Sequence, residues 1–261
     1  MIKAVFFDVD GTIVSHKNNT ISESTRSALD LLAARGIKRI VSTGRHMLEL
    51  VELPVGNIEF DAYITLNGQL CLDSQGNTIS ENPIIGFEKE CIIKMFTEKL
   101  MPIMLLEKDR MYINYINHHV EIAQQAISTP LPNIETYTGN EIYQAIAFIE
   151  KGTENALIQK LPNCKITRWN DYGVDIIAST GGKTSGIKAY LKANHLEAED
   201  TMAFGDGEND VEMLKYVQIG VAMGNAGSLV KASADYITNS IDNDGIKKVL
   251  VFLNENVKLF L

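Results

Sequence analysis

Along the chain the apolar run Ile2 to Phe7, broken only by Lys3, ends abruptly at Asp8, the pattern of a buried parallel strand with a polar turn behind it. From Ser22 the spacing turns helical. Ser22 is placed to cap the helix, Ala28, Leu29, Leu31 and Leu32 make an apolar face, and Gly36 stands where a C-terminal glycine belongs. A second strand, Lys38 to Ser42, runs into Thr43-Gly44-Arg45, and Ala62 to Leu66 reads as a third. The rhythm resumes far downstream as helix 184–195, strand 201–204, helix 208–216, strand 217–222 and helix 226–233. Such alternation predicts an α/β fold whose parallel sheet is covered by helices on both faces.

Between these blocks the pattern changes. Phe87 to Leu100 is helical, with Met95, Phe96 and Leu100 as a core stripe. Ile103 to Glu107 and Met111 to Ile116 read as a hairpin about Asp109-Arg110, and two further helix-plus-strand segments lead to about Ala178. This predicts an inserted α+β domain over residues 83–181, bounded by the turns at Asn82-Pro83 and Ser179 to Gly182. Residues 1–82 and 182–261 then form the core domain.

Charge and composition narrow the partners. A net charge of −9, with no Lys/Arg run longer than two, disfavours nucleic acid. The apolar runs, Val249 to Leu253 among the longest, are far too short to span a membrane. Cys71, Cys91 and Cys164 are widely spaced, without a C-x-x-C pair, which argues against a disulfide framework or a zinc site and for a reducing, cytoplasmic setting.

Two acidic clusters carry the chemistry. In Asp8-Val9-Asp10-Gly11-Thr12, residues two apart in extended chain point the same way, so the two carboxylates can address one spot beyond the sheet, where they need a cation or a shared proton. An Asx turn at a strand end explains a single Asp better than this pair. Glycine at the fourth position rather than the sixth excludes an EF-hand loop. The second cluster, Gly205-Asp206-Gly207-Glu208-Asn209-Asp210, follows the apolar strand Met202 to Phe204 and offers several oxygen ligands to a hard divalent cation. Helix-start preference alone accounts for Glu208 but not for the glycines.

Thr43-Gly44-Arg45 puts a hydroxyl and backbone N–H groups at a strand end, where phosphate oxygens can be held. Gly181-Gly182-Lys183-Thr184 invites comparison with a Walker A loop, but Ile177 stands where that loop needs glycine. The pair His118-His119 reads as a polar helix start, and Gly220, Gly224 and Gly227 miss the dinucleotide spacing and read as loop and packing glycines. Tyr112, Tyr115 and Trp169 read as aromatics packing across strands.

The ensemble resembles the haloacid dehalogenase-like superfamily, specifically Cof-type phosphatases of subfamily IIB. Asp8 to Thr12, Thr43 within Ser42 to Arg45, Lys183, and Gly205 to Asp210 match its four motifs in order, and the long gap between Thr43 and Lys183 leaves room for a cap. The resemblance implies a Rossmann-like core with an inserted cap that closes to exclude water and select the leaving group. It also implies Mg2+ as cofactor and a small phosphorylated metabolite, a sugar phosphate foremost, as substrate. Asp8 is then the nucleophile and Asp10 the acid and base. The ion is held by Asp8, the Asp10 carbonyl and Asp206, while Thr43, Gly44 and Lys183 bind the phosphoryl oxygens. Asn209 and Asp210 orient the ion's ligands and the lysine, and Arg45 and Asn67, the latter in a loop resembling the family's, lie on the substrate side. Asp175, with Tyr172, Gly173 and Ile176, sits where the cap returns to the core. Two readings share these motifs: a sugar phosphomutase, which must retain the phosphate, and a non-enzymatic phosphosugar sensor, whose mark is loss of Asp8 or Asp10; both are present here.

Overall fold

The computed structural model describes residues 1–257, with side chains through Phe252. Residues 258–261, the end of the core segment expected from sequence, lie outside the described residues. The chain forms two compact units, Met1–Ser80 with the chain from Gly182 onward, and Glu81–Gly181. The first crossing thus precedes the Asn82-Pro83 turn.

In chain order the first unit contains β1 (Ala4–Phe7), α1 (Glu23–Ala34), β2 (Lys38–Ser42), the short α2 (Met47–Leu50), β3 (Ala62–Thr65), β4 (Leu70–Asp73) and β5 (Thr78–Glu81, its last residue past the crossing). After the second unit come α6 (Lys183–Asn194), β11 (Thr201–Gly205), α7 (Val211–Tyr216), β12 (Ile219–Ala222), α8 (Ser228–Lys231), β13 (Tyr236–Ile237) and α9 (Gly245–Val257). The strands join in the order β13-β12-β11-β1-β2-β3-β4-β5. From β13 to β3 every pair is parallel, whereas β4 runs antiparallel to β3. The β4 and β5 strands are a departure from the sequence reading. Their few residues flank the Asp73 to Asn77 turn, where Asp73 N–H donates to the Asn77 carbonyl, and carry no long apolar run to announce them.

Alternation along each buried strand feeds two cores. Phe7, Val41, Phe204 and Val221 face α1 and α9 through Leu29, Leu32, Ile246 and Leu250. Phe6, Ile40, Ile64 and Ala203 face α6 and α7 through Ile187, Tyr190, Met213 and Leu214. A strand buried on both sides must be apolar throughout, which is why β1 reads Ala-Val-Phe-Phe. Ser22 caps α1, its hydroxyl accepting from Thr25 N–H, and Gly36 follows at φ +70. Leu31, however, is exposed: it falls roughly 100° round the helix from Leu32 and leaves the stripe of Thr25, Ala28, Leu29 and Leu32.

The second unit holds α3 (Gly86–Thr97), β6 (Ile103–Leu106), β7 (Met111–Ile113), α4 (His118–Ala126), β8 (Gln144–Phe148), α5 (Asn155–Lys160), β9 (Cys164–Arg168) and β10 (Gly173–Ala178). Its sheet, in the order β7-β6-β8-β10-β9, is antiparallel throughout. Ile92, Met95 and Phe96 from α3 and Leu157 from α5 pack on Leu105, Tyr112, Ala145 and Ile176. Leu100 is exposed because α3 stops at Thr97. Tyr112 is fully buried, its hydroxyl donating to Glu107. Asn117 caps α4 just before His118, and His119 stacks on Tyr172 at 4.7 Å.

Phe7 and Phe204, register partners on β1 and β11, stack with ring centroids 5.3 Å apart and planes 4° apart. Phe204→Ala should cost about 3–5 kcal/mol of stability, read by urea unfolding, because the rigid sheet cannot close on the cavity.

Candidate active site

The carboxyl ends of the parallel strands bring the motifs together. Asp8 follows β1, Thr43 follows β2, Asn67 lies beyond β3, Asp206 follows β11, and Lys183 opens α6. Ligands of open α/β sheets bind at such ends, where loops diverge and helices begin.

At the centre is a buried ion triad. Lys183 Nζ donates to Asp8 Oδ1 and to Asp210 Oδ1, both at 2.6 Å, with all three residues almost wholly removed from solvent. The other oxygen of Asp210 accepts the N–H groups of Asp206 and Gly207, each at 2.9 Å. Asp210 therefore fixes the lysine and the acidic loop together. Burial pulls the Lys183 ammonium down, but Asp210 and Asp8 outweigh it and hold it above a lysine's ordinary value. Asp8 is pushed well above the usual carboxylate range by burial, opposed by Lys183 and reinforced by Asp210, Asp206 and Asp10.

Asp206 completes a set of three carboxylates, with Asp8 and Asp210, of which one oxygen from each lies within 4.8 Å of the others. Its Oδ1 accepts from the Thr12 hydroxyl at 2.8 Å and its Oδ2 from Asn225 Nδ2 at 3.0 Å. Burial, then Asp210, raises it to about 6. Gly11 makes room: its φ is +82, and a Cβ there would lie 2.2 Å from Asp206 Oδ2. Three carboxylates against one ammonium leave two negative charges, and the donors are hard oxygens, so the residues fit a divalent cation such as Mg2+.

Asp10 behaves differently from the sequence expectation. Its carboxylate is not in that set; Arg45 grips it with a two-pronged fork, Nε to Oδ2 at 2.7 Å and an η nitrogen to Oδ1 at 2.8 Å. Asp10 remains close enough to Asp8 to add to its raised value, and the chain turns directly afterwards, with Ile13 and Val14 N–H both donating to the Val9 carbonyl. Arg45 is steadied by Glu49, which also accepts His46 N–H at 2.9 Å as part of the capping box of α2. Glu49 escaped the sequence reading, as its spacing from Arg45 is an ordinary helical i,i+4 pair.

Thr43 is buried, and its Oγ1 accepts Arg45 N–H at 3.2 Å, which leaves its own proton to donate. Gly44 lies against Asn67; a Cβ on it would stand 3.1 Å from that amide. Asn67, at φ 53, accepts Asn209 Nδ2 at 2.9 Å on its Oδ1 and Gly182 N–H on its carbonyl. It thus braces the loops after β2 and β11 and the start of α6. Thr12 and Asn225 also went unassigned from sequence. Asn225 follows β12, so its position at a strand's carboxyl end is the signal that could have marked it.

A family model described as haloacid dehalogenase-like hydrolase matches residues 5–250. YkrA of Bacillus subtilis, named as a candidate phosphatase, is 33% identical over 247 residues, 94% of this chain and 95% of that protein. Among solved structures, the subclass IIB sugar phosphatase BT4131 superposes with a TM-score of 0.86 at 34% identity, covering 97% of this chain and 99% of that one. BT1666 of Bacteroides thetaiotaomicron, described among phosphatases of the haloalkanoate superfamily, gives 0.88 at 29% identity, covering 97% and 96%. No helix among the described residues is long and apolar enough to cross a membrane.

The raised Asp206 value sets a sign for stability in ion-free buffer. A carboxyl whose value rises on folding makes the folded state hold more protons, so stability falls as pH climbs from about 4 through about 6. Asp206→Asn, which mimics the neutral acid, should match the parent in melting temperature near pH 4 and exceed it increasingly toward pH 7; a constant difference would refute the assignment.

Proposed function

The chain belongs to the haloacid dehalogenase-like hydrolases, and from that premise we propose that this phosphatase cleaves a small phosphorylated metabolite, a sugar phosphate foremost, through a phosphoryl intermediate on Asp8. The observation that carries the reading is the buried Asp8–Lys183–Asp210 triad beside Asp206. Likeness to the sugar phosphatase BT4131 supports the substrate class. The free cysteines suit a cytoplasmic setting.

Lys183 occupies Oδ1 of Asp8, which leaves Oδ2 to attack phosphorus in line. As the new P–O bond forms, the ester P–O bond breaks, and Asp10 gives its proton to the departing alcohol oxygen. In the second step a water attacks phosphorus, Asp10 takes its proton, and the bond to Asp8 breaks to release inorganic phosphate. For this Asp10 must turn at least one oxygen away from the Arg45 fork. Thr43, the Gly44 loop and Lys183 hold the phosphoryl oxygens as charge shifts among them, and Asn209 and Asp210 keep the surrounding loops and the lysine in place. Asp8, the Asp10 carbonyl and Asp206 would hold a divalent ion, Mg2+, whose positive charge would let carboxylate and phosphate approach.

Hexose, pentose and sugar-alcohol phosphates, with flavin and pyridoxal phosphates as outliers, should be assayed for phosphate release with Mg2+ and again with a chelator. Release is expected for sugar phosphates, without any bisphosphate activator, and only when the ion is present. Asp8→Asn should lose turnover by several orders of magnitude while keeping its fold, and phosphate release surviving in that variant would sink the mechanism. Asp10→Asn should harm alkyl phosphates far more than p-nitrophenyl phosphate, whose leaving oxygen scarcely needs a proton. Equal losses would count against the acid role.

A further inference from the structure

Asn225 ties together three loops of the first unit. Its Nδ2 donates to the Gly11 carbonyl at 2.9 Å and to Asp206 Oδ2 at 3.0 Å, while its Oδ1 accepts Ile241 N–H at 3.0 Å. Both amide hydrogens and the oxygen are thus engaged, and a flipped amide would set its NH2 against the Ile241 N–H, donor against donor. The loop around Ile241 is itself anchored: Asp242 accepts from Ser15 at 2.6 Å and pairs with Lys17 at 2.8 Å, both just beyond the Asp8 motif.

Asp206 differs from its acidic neighbours in the donors it receives. Lys183 serves Asp8 and Asp210, and Arg45 serves Asp10, but the side chains on Asp206 are a hydroxyl and an amide, both neutral. Each takes one lone pair on a different oxygen, so together they set the carboxylate plane without cancelling its charge.

Resting on the reading of Asp206 as an ion ligand, we propose that Asn225 is a positioning residue for the divalent ion, holding the Asp206 carboxylate against the Gly11 loop with its remaining lone pairs directed to the cation. Groups that orient a ligand in this way commonly change metal affinity about 10–100-fold when removed. Asn225 is exposed, so its loss leaves no cavity.

The test is calorimetric titration of the full chain with Mg2+ alone, comparing the parent, Asn225→Ala and Asp206→Asn. Asp206→Asn should abolish measurable binding. Asn225→Ala should weaken it about ten-fold or more, and because its bonds to Gly11 and Ile241 go too, the melting temperature in chelator should also fall, so affinities are compared where parent and variant are both folded. In turnover assays it should raise the Mg2+ concentration needed for half-activation by a similar factor, with KM for the phosphorylated substrate little changed. Asn225→Ser, suited to a loop, repeats the measurement should the alanine variant not fold. Parent-like Mg2+ affinity in a folded Asn225 variant, with binding lost in Asp206→Asn, overturns the proposal. Parent-like affinity in Asp206→Asn overturns the reading of Asp206 beneath it instead.

Discussion

A lysine buried between two carboxylates is the interaction on which the site depends. Ionised groups taken out of water carry a desolvation cost of several kcal/mol each, repaid only where geometry and further hydrogen bonds are good. Lys183 meets that condition through short bonds to Asp8 and Asp210, and Asp210 meets it through the two amides of its own loop. One side chain thus reaches from the start of α6 to the ends of β1 and β11, segments far apart in sequence. The sheet holds those ends in register, and the ion triad converts that register into a fixed orientation for Asp8.

The glycines follow from the same crowding. Asp206 packs so near the backbone after Asp10 that Gly11 has no room for a side chain, and Gly205 is in the same position against Asp210, whose Cγ a Cβ would meet at 2.5 Å. Their spacing within the acidic clusters was the feature that helix-start preference failed to explain. Close approach of carboxylates to backbone is the explanation.

The strongly patterned parts of the fold were legible in the sequence. Strands apolar on both faces, as in β1 and β11, can hardly be anything else, and the capped helix after Ser22 announced its own start. Asp8, Lys183, Asp206 and Asp210 meet where the motif order suggested. What escaped was set by tertiary context. The β4–β5 edge carries too few residues to show a period, and Leu31 and Leu100 are apolar residues that geometry turns outward. Extended alternation puts Asp10 near Asp8, as its effect on Asp8 bears out, but gives no hint that Arg45 grips the Asp10 carboxylate. Asn225 and Glu49 act through hydrogen bonds whose partners are remote in the chain or hidden in an ordinary helical spacing, so composition and periodicity hold no trace of them.

The distribution of counter-charges divides the site into regions with different tasks. Asp10 has Arg45, braced by Glu49; Asp8 and Asp210 share Lys183. Asp206 has neutral side-chain donors only, and its raised value records that burial and Asp210 oppose its charge without a cationic side chain bonded to it. Unbalanced negative charge therefore gathers at Asp206 and the free oxygen of Asp8, on one side of the nucleophile, while Lys183 and the Thr43 hydroxyl offer donors around it. A dianionic phosphate approaching Asp8 meets repulsion from the first group and attraction from the second. A cation held by the first group would remove the repulsion without displacing Lys183, so on the proposed role of Asp8 the same arrangement that leaves Asp206 uncompensated calls for the ion before attack.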